Sequence, residues 1–176
     1  RNLVAMCSNL SVLSAQSTDL TTITEVFAAS VESGAVVLAR GLNVLAHARI
    51  GDPDDIVKHL REHAGTSTLN LVLTAVARNR RALTVPANKG GGESVAIAPV
   101  SVGSDVVGYL LVMSSPANDM SEDMPLLATE HAAMVCGVVL GRGLVLAAAA
   151  GQARQHLIAA LLIRRDRDDG EVDRLA

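Results

Sequence analysis

Apolar residues at the start of the chain recur at Leu3, Met6, Leu10 and Leu13, the three-four rhythm of a helix with one apolar seam. Ser17-Thr18-Asp19 interrupts this run and supplies an N-cap. Leu20, Ile23, Phe27 and Val31 then mark the inner stripe of a second helix, which stops near Gly34. The period changes to that of β-structure over Gly34–Arg40 and Val44–Arg49, and Gly41-Leu42-Asn43 between them predicts a hairpin. Asp52-Pro53 opens a third helix with Ile56, Val57 and Leu60 inward. Gly65–Thr68 interrupts it. Leu69, Val72, Leu73 and Val76 form the stripe of a fourth, closing on Arg78, Arg80 and Arg81 where cations suit the helix dipole.

Three further strands follow. Ala82–Pro86 is short, and its proline places it at an edge or at a strand end. Asn88–Glu93 is a connection. Ser94–Val102 and Val106–Ser114 flank Gly103-Ser104-Asp105 and are apolar at nearly every position, so their sheet is expected to be covered on both faces. A long helix opens at Ser121-Glu122-Asp123-Met124-Pro125, acidic in its first turn, and meets no strong breaker before Arg164. A charged turn is expected there, with a new amphipathic segment from Glu171. Gly137, Gly141, Gly143 and Gly151 each weaken the long helix by about 1 kcal/mol relative to Ala, so they need a reason. Ala133, Gly137 and Gly141 share one face. That face admits a close neighbour, either this chain's own sheet or first helix, or a second copy.

The order predicts an α+β fold: a central antiparallel sheet of five to six strands, helices inserted on one face, and N- and C-terminal helices on the other. Residues 1–17 are read as a dimerisation helix, 18–150 as the main domain, and 151–176 as a linker helix with the start of a further domain. Arg1 is not a methionine and the tail ends inside a new segment, so the sequence is expected to be part of a longer polypeptide.

A net charge of −3 from 15 basic and 18 acidic residues offers no clustered cation surface for phosphates, so direct nucleic-acid contact by this chain is not expected. Phe27 and Tyr109 are the whole aromatic complement, too few for base stacking. Two distant cysteines, Cys7 and Cys136, fit a thiol-reducing compartment, and a cytoplasmic location is expected. Residues 132–151 are apolar apart from Arg142, whose central position would cost about 2.5–3.5 kcal/mol in a bilayer. A buried helix, not a membrane span, is the reading.

The stretch "LTVPANKGGGESVAIAPVSVGSDVVGYLLVMSS", with Ala98-Pro99-Val100, Gly103 and Val107-Gly108-Tyr109-Leu110-Leu111, resembles a GAF domain. That resemblance covers about residues 18–150 and implies a GAF-like α/β/α fold with a ligand pocket between the sheet and the inserted helices. The tail "QARQHLIAALLIRRDRDDGEVDRLA", about 152–176, resembles the junction in PucR/CdaR-type bacterial transcriptional regulators. There a sensory domain runs through a helix toward a middle domain and a C-terminal helix-turn-helix. Tetrapyrrole-sensing members need a pocket cysteine, and both cysteines here fall on terminal helices. The asparagine-lysine-phenylalanine motif of cyclic-nucleotide binders has no match.

Within the pocket that the resemblance implies, Arg40, His47, Arg49, Thr84, Tyr109 and Met113 are the strand residues able to offer polar or soft contacts. Each is alternatively a surface or core residue, because strand facing turns on one residue of register; His47 has the further reading of a core histidine. The dimer interface is assigned to Leu3, Met6, Leu10, Leu13, Ala133, Gly137 and Gly141. His59 and His63 have metal-ligand spacing on a helix but read as a solvated edge, so no metal and no cofactor are expected. His131 and Cys136 stand five apart, on different helical faces, which argues against a nucleophile pair. "KGGGES" lacks the lysine-serine/threonine ending of a phosphate loop and reads as a hairpin linker, with a lid over the pocket as the alternative.

These readings converge on a non-enzymatic homodimeric sensor that takes a small metabolite and relays occupancy through its terminal helices to a DNA-binding region, with no membrane association. Three alternatives stand beside it. They are a structural dimerisation module with a self-filled pocket, the sensor of a histidine kinase or phosphatase, and a hydrolase, which would need a reactive serine.

Overall fold

The computed structural model describes residues 3–16, 19–64, 66–86, 94–114 and 123–172. Two helices come first, α1 (Leu3–Ala15) and α2 (Leu20–Val31), followed by strands β1 (Ala35–Ala39) and β2 (Val44–Ala48). Helices α3 (Pro53–Ala64) and α4 (Thr66–Asn79) are inserted before β3 (Leu83–Pro86), β4 (Ser94–Val102) and β5 (Asp105–Ser114). Helix α5 (Asp123–Val172) closes the chain. Two compact units result, Arg1–Leu140 and Gly141–Ala176.

The sheet has five strands in the order β2-β1-β5-β4-β3, each neighbouring pair antiparallel. Alternation along the strands sends one set of residues to each face. Ala35, Val37, Ala46, Ala48, Ala96, Ala98, Val100, Leu110 and Val112 join the core built with α1, α2 and α5. Val36, Leu38, Val95, Ile97, Tyr109 and Leu111 join the core built with α3 and α4. The near-continuous apolar runs of β4 and β5 therefore have a cover on both sides, as their sequence requires.

Local chemistry explains where the elements start and stop. The Asp19 carboxylate accepts from the Thr22 backbone N–H at 3.1 Å and from its hydroxyl, which caps α2 and holds this carboxyl below its ordinary pKa. Glu32 then takes the left-handed conformation at φ 53°, and its N–H and that of Ser33 close the last turn of α2. Pro99 lies in β4 beyond Ile97, the last residue that β4 pairs with β3, so its missing N–H leaves no bond to β3 unmade there.

Two helices depart from the sequence reading. α4 begins at Thr66, three residues before Leu69, so Thr66–Thr68 form its first turn and do not interrupt. α5 runs through the charged stretch to Val172 as one helix, where a turn and a new segment were expected. Arg164/Asp168 and Arg165/Asp169 are opposite charges four residues apart, a spacing that supports a helix.

The burial expected for residues 132–151 holds only at their start. Ala132, Ala133, Val135, Cys136 and Gly137 are buried, whereas Leu144, Val145 and Leu146 are exposed. By length and composition Leu126–Ala160 is apolar enough to cross a membrane. Its first part is committed to the domain core, where Leu126, Val139 and Leu140 pack against the cluster that holds Ala128, Ala132 and Cys136.

Candidate functional site

The space between the sheet and the α3–α4 pair is the candidate ligand site, and its chemistry is uniform. Leu38 of β1, Leu42 of the β1–β2 turn, Val57 and Leu60 of α3, Leu69 and Leu73 of α4, Ile97 of β4 and Leu111 of β5 line it. The residual cavity is about 10 Å³, which is no more than the room one water molecule needs. A lining of eight aliphatic side chains gives a water too few hydrogen-bond partners, so the site is dry. These side chains meet across the gap and largely fill it.

The six strand residues proposed as ligand contacts separate into two groups. His47, Tyr109 and Met113 belong to the α3–α4 face of the sheet, His47 pairing across from Val36, Met113 from Val95 and Tyr109 from Leu38, while Arg40 stands just past the end of β1 with its charge felt by Tyr109. None of the four lines the cavity. Tyr109 is buried, which raises its hydroxyl pKa above the usual tyrosine value, with the Arg40 charge acting in the opposite direction. Arg40 itself is exposed, with its backbone N–H donated to Val107 O at 2.9 Å. His47 is exposed on edge strand β2, which corrects the reading of it as a core histidine.

Arg49 and Thr84 are on the wrong side for that pocket. Thr84 pairs across from Ala96, whose side chain joins the α1–α2–α5 core, so Thr84 shares that face. Arg49 follows the end of β2 at φ 56°, and its guanidinium donates to Ala28 O near the C-terminus of α2 at 3.4 Å. The register shift between Val37 and Leu38 leaves Leu45 as the extra residue of β2, while Leu45 and His47 still alternate with buried Ala46 and Ala48, and the facing pattern ends at the left-handed Arg49.

The residues assigned to a dimer seam are largely occupied within the chain. Leu10 and Ala133 are buried in the α1–α2–α5 core, and Leu3, Met6 and Leu13 pack against it. A Cβ added at Gly137 would stand 2.1 Å from Ser101 O, so this glycine lets α5 approach β4. The small-residue face thus meets the chain's own sheet, correcting its assignment to a second copy at Ala133 and Gly137. Gly141 is half-buried at the start of the second unit. Gly108 has a parallel reason within its Val-Gly-Tyr-Leu-Leu run, since a Cβ there would meet Leu38 O at 2.1 Å across the β1–β5 ladder.

The exposed side of these helices was not singled out from the sequence. On α5, Leu127, Met134 and Val138 are exposed, and Val4 and Val12 are exposed on α1. Leu127, Met134 and Val138 stand seven and four apart, a spacing that could have flagged a second stripe beside the small-residue one. His131 Nε2 lies 3.1 Å from Cys7 O, which holds α1 beside α5 at this stripe.

Cys136 is buried in the core on this side of the sheet, and desolvation raises its thiol pKa to about 12. Cys7 is half-buried on α1. Neither cysteine borders the aliphatic cavity. Among the described residues no three His, Cys, Asp or Glu side chains are grouped to hold a metal ion; the side chains of His59 and His63 lie outside the described residues.

No protein-family model matches the chain, and no curated protein matches it. Solved structures do. The GAF domain of an Acinetobacter phosphoenolpyruvate-protein phosphotransferase is 17% identical, with 81% of this chain and 95% of that one aligned at a TM-score of 0.52. The phycocyanobilin-bound GAF domain of a cyanobacterial phytochrome is 15% identical, with 81% and 95% aligned at a TM-score of 0.51. The fold is that of a GAF domain, as the β4–β5 sequence led us to expect.

Proposed function

We propose that this chain is a non-catalytic regulatory module of a transcriptional regulator, dimerising through α5 and α1 and passing its state along α5. The observation that carries this reading is the division of labour on α5. One face is built into the domain core through Ala128, Ala132, Ala133 and Cys136, while Leu127, Met134 and Val138 on the other are bare. A helix that is both part of the core and apolar on its outer side suits a two-fold contact with a second copy. The seam proposed is therefore Leu127, Met134 and Val138 with Val4 and Val12, in place of the inward residues. The transcriptional output rests on the likeness of residues 152–176 to the PucR/CdaR junction, and a cytoplasmic location goes with it.

The effector that the aliphatic lining would accept is small and apolar, a short or branched hydrocarbon chain more than a sugar acid or purine. Its entry requires α3 and α4 to move off the sheet, because Leu60, Leu69 and Leu73 occupy the space. The Tyr109 hydroxyl, buried on the same sheet face, and the nearby Arg40 charge are the groups able to meet a polar end of such a molecule.

A second reading is favoured by the cavity volume itself: a dimerisation module whose pocket is permanently filled by its own leucines. A thermal-shift series of branched and straight aliphatic acids, alcohols and amides separates the two. Stabilisation that rises with ligand concentration and is abolished by Leu73→Phe supports sensing. A flat response across the series, in a protein that is dimeric, supports the filled module.

A further inference from the structure

Glu130 and His131 are consecutive on α5 and bond to two different parts of the domain. One oxygen of Glu130, Oε1, accepts from the Ala82 backbone N–H at 2.9 Å and from Arg81 Nε–H at 2.9 Å. Those donors stand at the junction where α4 has ended and β3 begins. α4 finishes there on Arg80, which is left-handed at φ 53°, with its N–H on Val76 O and its guanidinium on Ser104 O of the β4–β5 turn. His131 Nε2 meets Cys7 O of α1 at 3.1 Å and Ser11 Oγ at 3.5 Å. A carbonyl oxygen only accepts, so Nε2 carries the proton and donates to Cys7 O.

We infer that Glu130 and His131 form a two-sided clamp through which the position of α4 is felt by α5 and α1. The two residues are separated by one helical step, about 1.5 Å of rise and 100° of rotation, on a helix whose buried face is fixed to the sheet. Displacing the end of α4 pulls on Glu130, and any rotation of α5 that follows moves His131 and with it the Cys7–Ser11 turn of α1. The wall residues Leu69 and Leu73 are on the same α4 helix, so whatever moves that wall also moves the junction. The Arg81 ion pair is solvent-exposed on the arginine side, at 71% of its side chain, and contributes little alone. The Ala82 amide is the stronger tie: its residue is 7% exposed, and water reaches it poorly once Glu130 is gone.

The purpose assigned to the clamp rests on the regulatory reading above, but its existence is testable with no effector present. Amide hydrogen exchange is measured on the whole chain for wild type, Glu130→Ala, Glu130→Gln, His131→Ala and the Glu130→Ala/His131→Ala double variant. Glu130→Ala is expected to speed exchange about tenfold at Ala82. About fivefold faster exchange is expected over Cys7–Ser11, which Glu130 does not touch. Glu130→Gln keeps an acceptor for Ala82 and is expected to stay within about twofold of wild type at both places. On a His131→Ala background, Glu130→Ala should add nothing at α1.

Faster exchange confined to Ala82 and β3, with α1 unchanged, overturns the clamp, as does an additive effect in the double variant. Should Glu130→Ala not fold, His131→Ala is read at the other end of the clamp: because coupling is reciprocal, faster exchange at Ala82 supports the clamp and unchanged exchange there overturns it. Failure of every effector to bind would defeat the sensing reading and leave these outcomes as they stand.

Discussion

Gly137→Ala isolates the contact that fixes α5 to the sheet. In an exposed helix interior this substitution stabilises by about 1 kcal/mol, because alanine loses less backbone entropy than glycine. At Gly137 the new methyl would lie 2.1 Å from Ser101 O, 3.2 Å from Ser101 C and 3.4 Å from Ser101 N. All three are backbone atoms within β4, where the ladder to β5 restrains them. Relief therefore has to come from α5 retreating by on the order of 1 Å, which loosens the dispersion contacts of Ala133 and Cys136 as well. Overpacking of this kind costs about 1–3 kcal/mol, so the net effect after the gain in helix propensity is a loss of up to about 2 kcal/mol. At Gly143 and Gly151 on the same helix an added methyl would meet nothing within 4 Å, so these two serve as controls. Urea denaturation at one fixed protein concentration, followed by circular dichroism, reads all three. Gly137→Ala should lower the midpoint with little change in slope, while Gly143→Ala and Gly151→Ala leave it unchanged or raise it. A Gly137→Ala protein as stable as the controls would refute the close approach of α5 to β4.

Leu73→Ala should destabilise by about 2–5 kcal/mol and open a dry apolar cavity that binds benzene or xenon, detectable by thermal shift and by xenon-induced NMR shifts. Asp19→Ala should lower the urea midpoint as the α2 cap is lost. Because folding lowers the Asp19 pKa, the wild type has the cap's contribution above the usual carboxylate range and loses it as pH falls through the folded-state value, so the two proteins should converge in stability in acid. Cys136, with its pKa raised to about 12, should resist a thiol-reactive disulfide reagent at pH 8 until the protein is unfolded. The sign there is opposite: the neutral thiol's contribution is intact below the ordinary cysteine pKa near 9 and is lost as pH rises toward about 12.

Much of the element order was legible because the signals are local. Asp19, Gly34, Asp52-Pro53 and Gly103 mark boundaries locally, although the left-handed residue that ends α2 is Glu32 and not the glycine, and the unbroken apolar runs of β4 and β5 announce a sheet covered twice. What stayed illegible depends on partners distant in sequence. Leu3, Met6, Leu10 and Leu13 announce an apolar neighbour without saying whether it is α2 or a second copy. Gly137 announces a close approach, but only the fold reveals Ser101. Thr84 and Arg49 were misjudged because facing along a strand depends on register: Thr84 follows its partner Ala96 to the α1–α2–α5 face, and the left-handed backbone at Arg49 ends the alternation of β2. The cavity defied the sequence reading for a related reason: polar strand residues attract attention, whereas its walls are leucines that any core would contain.

The regulatory reading depends most directly on the bare stripe of α5 meeting a second copy, and sedimentation equilibrium across a range of concentrations measures that. The chain should sediment at twice its 18.2 kDa mass, and Met134→Glu/Val138→Glu at 18.2 kDa with its circular dichroism and urea slope unchanged. A wild-type chain of 18.2 kDa at every concentration, or a dimer that survives both glutamates, would contradict it.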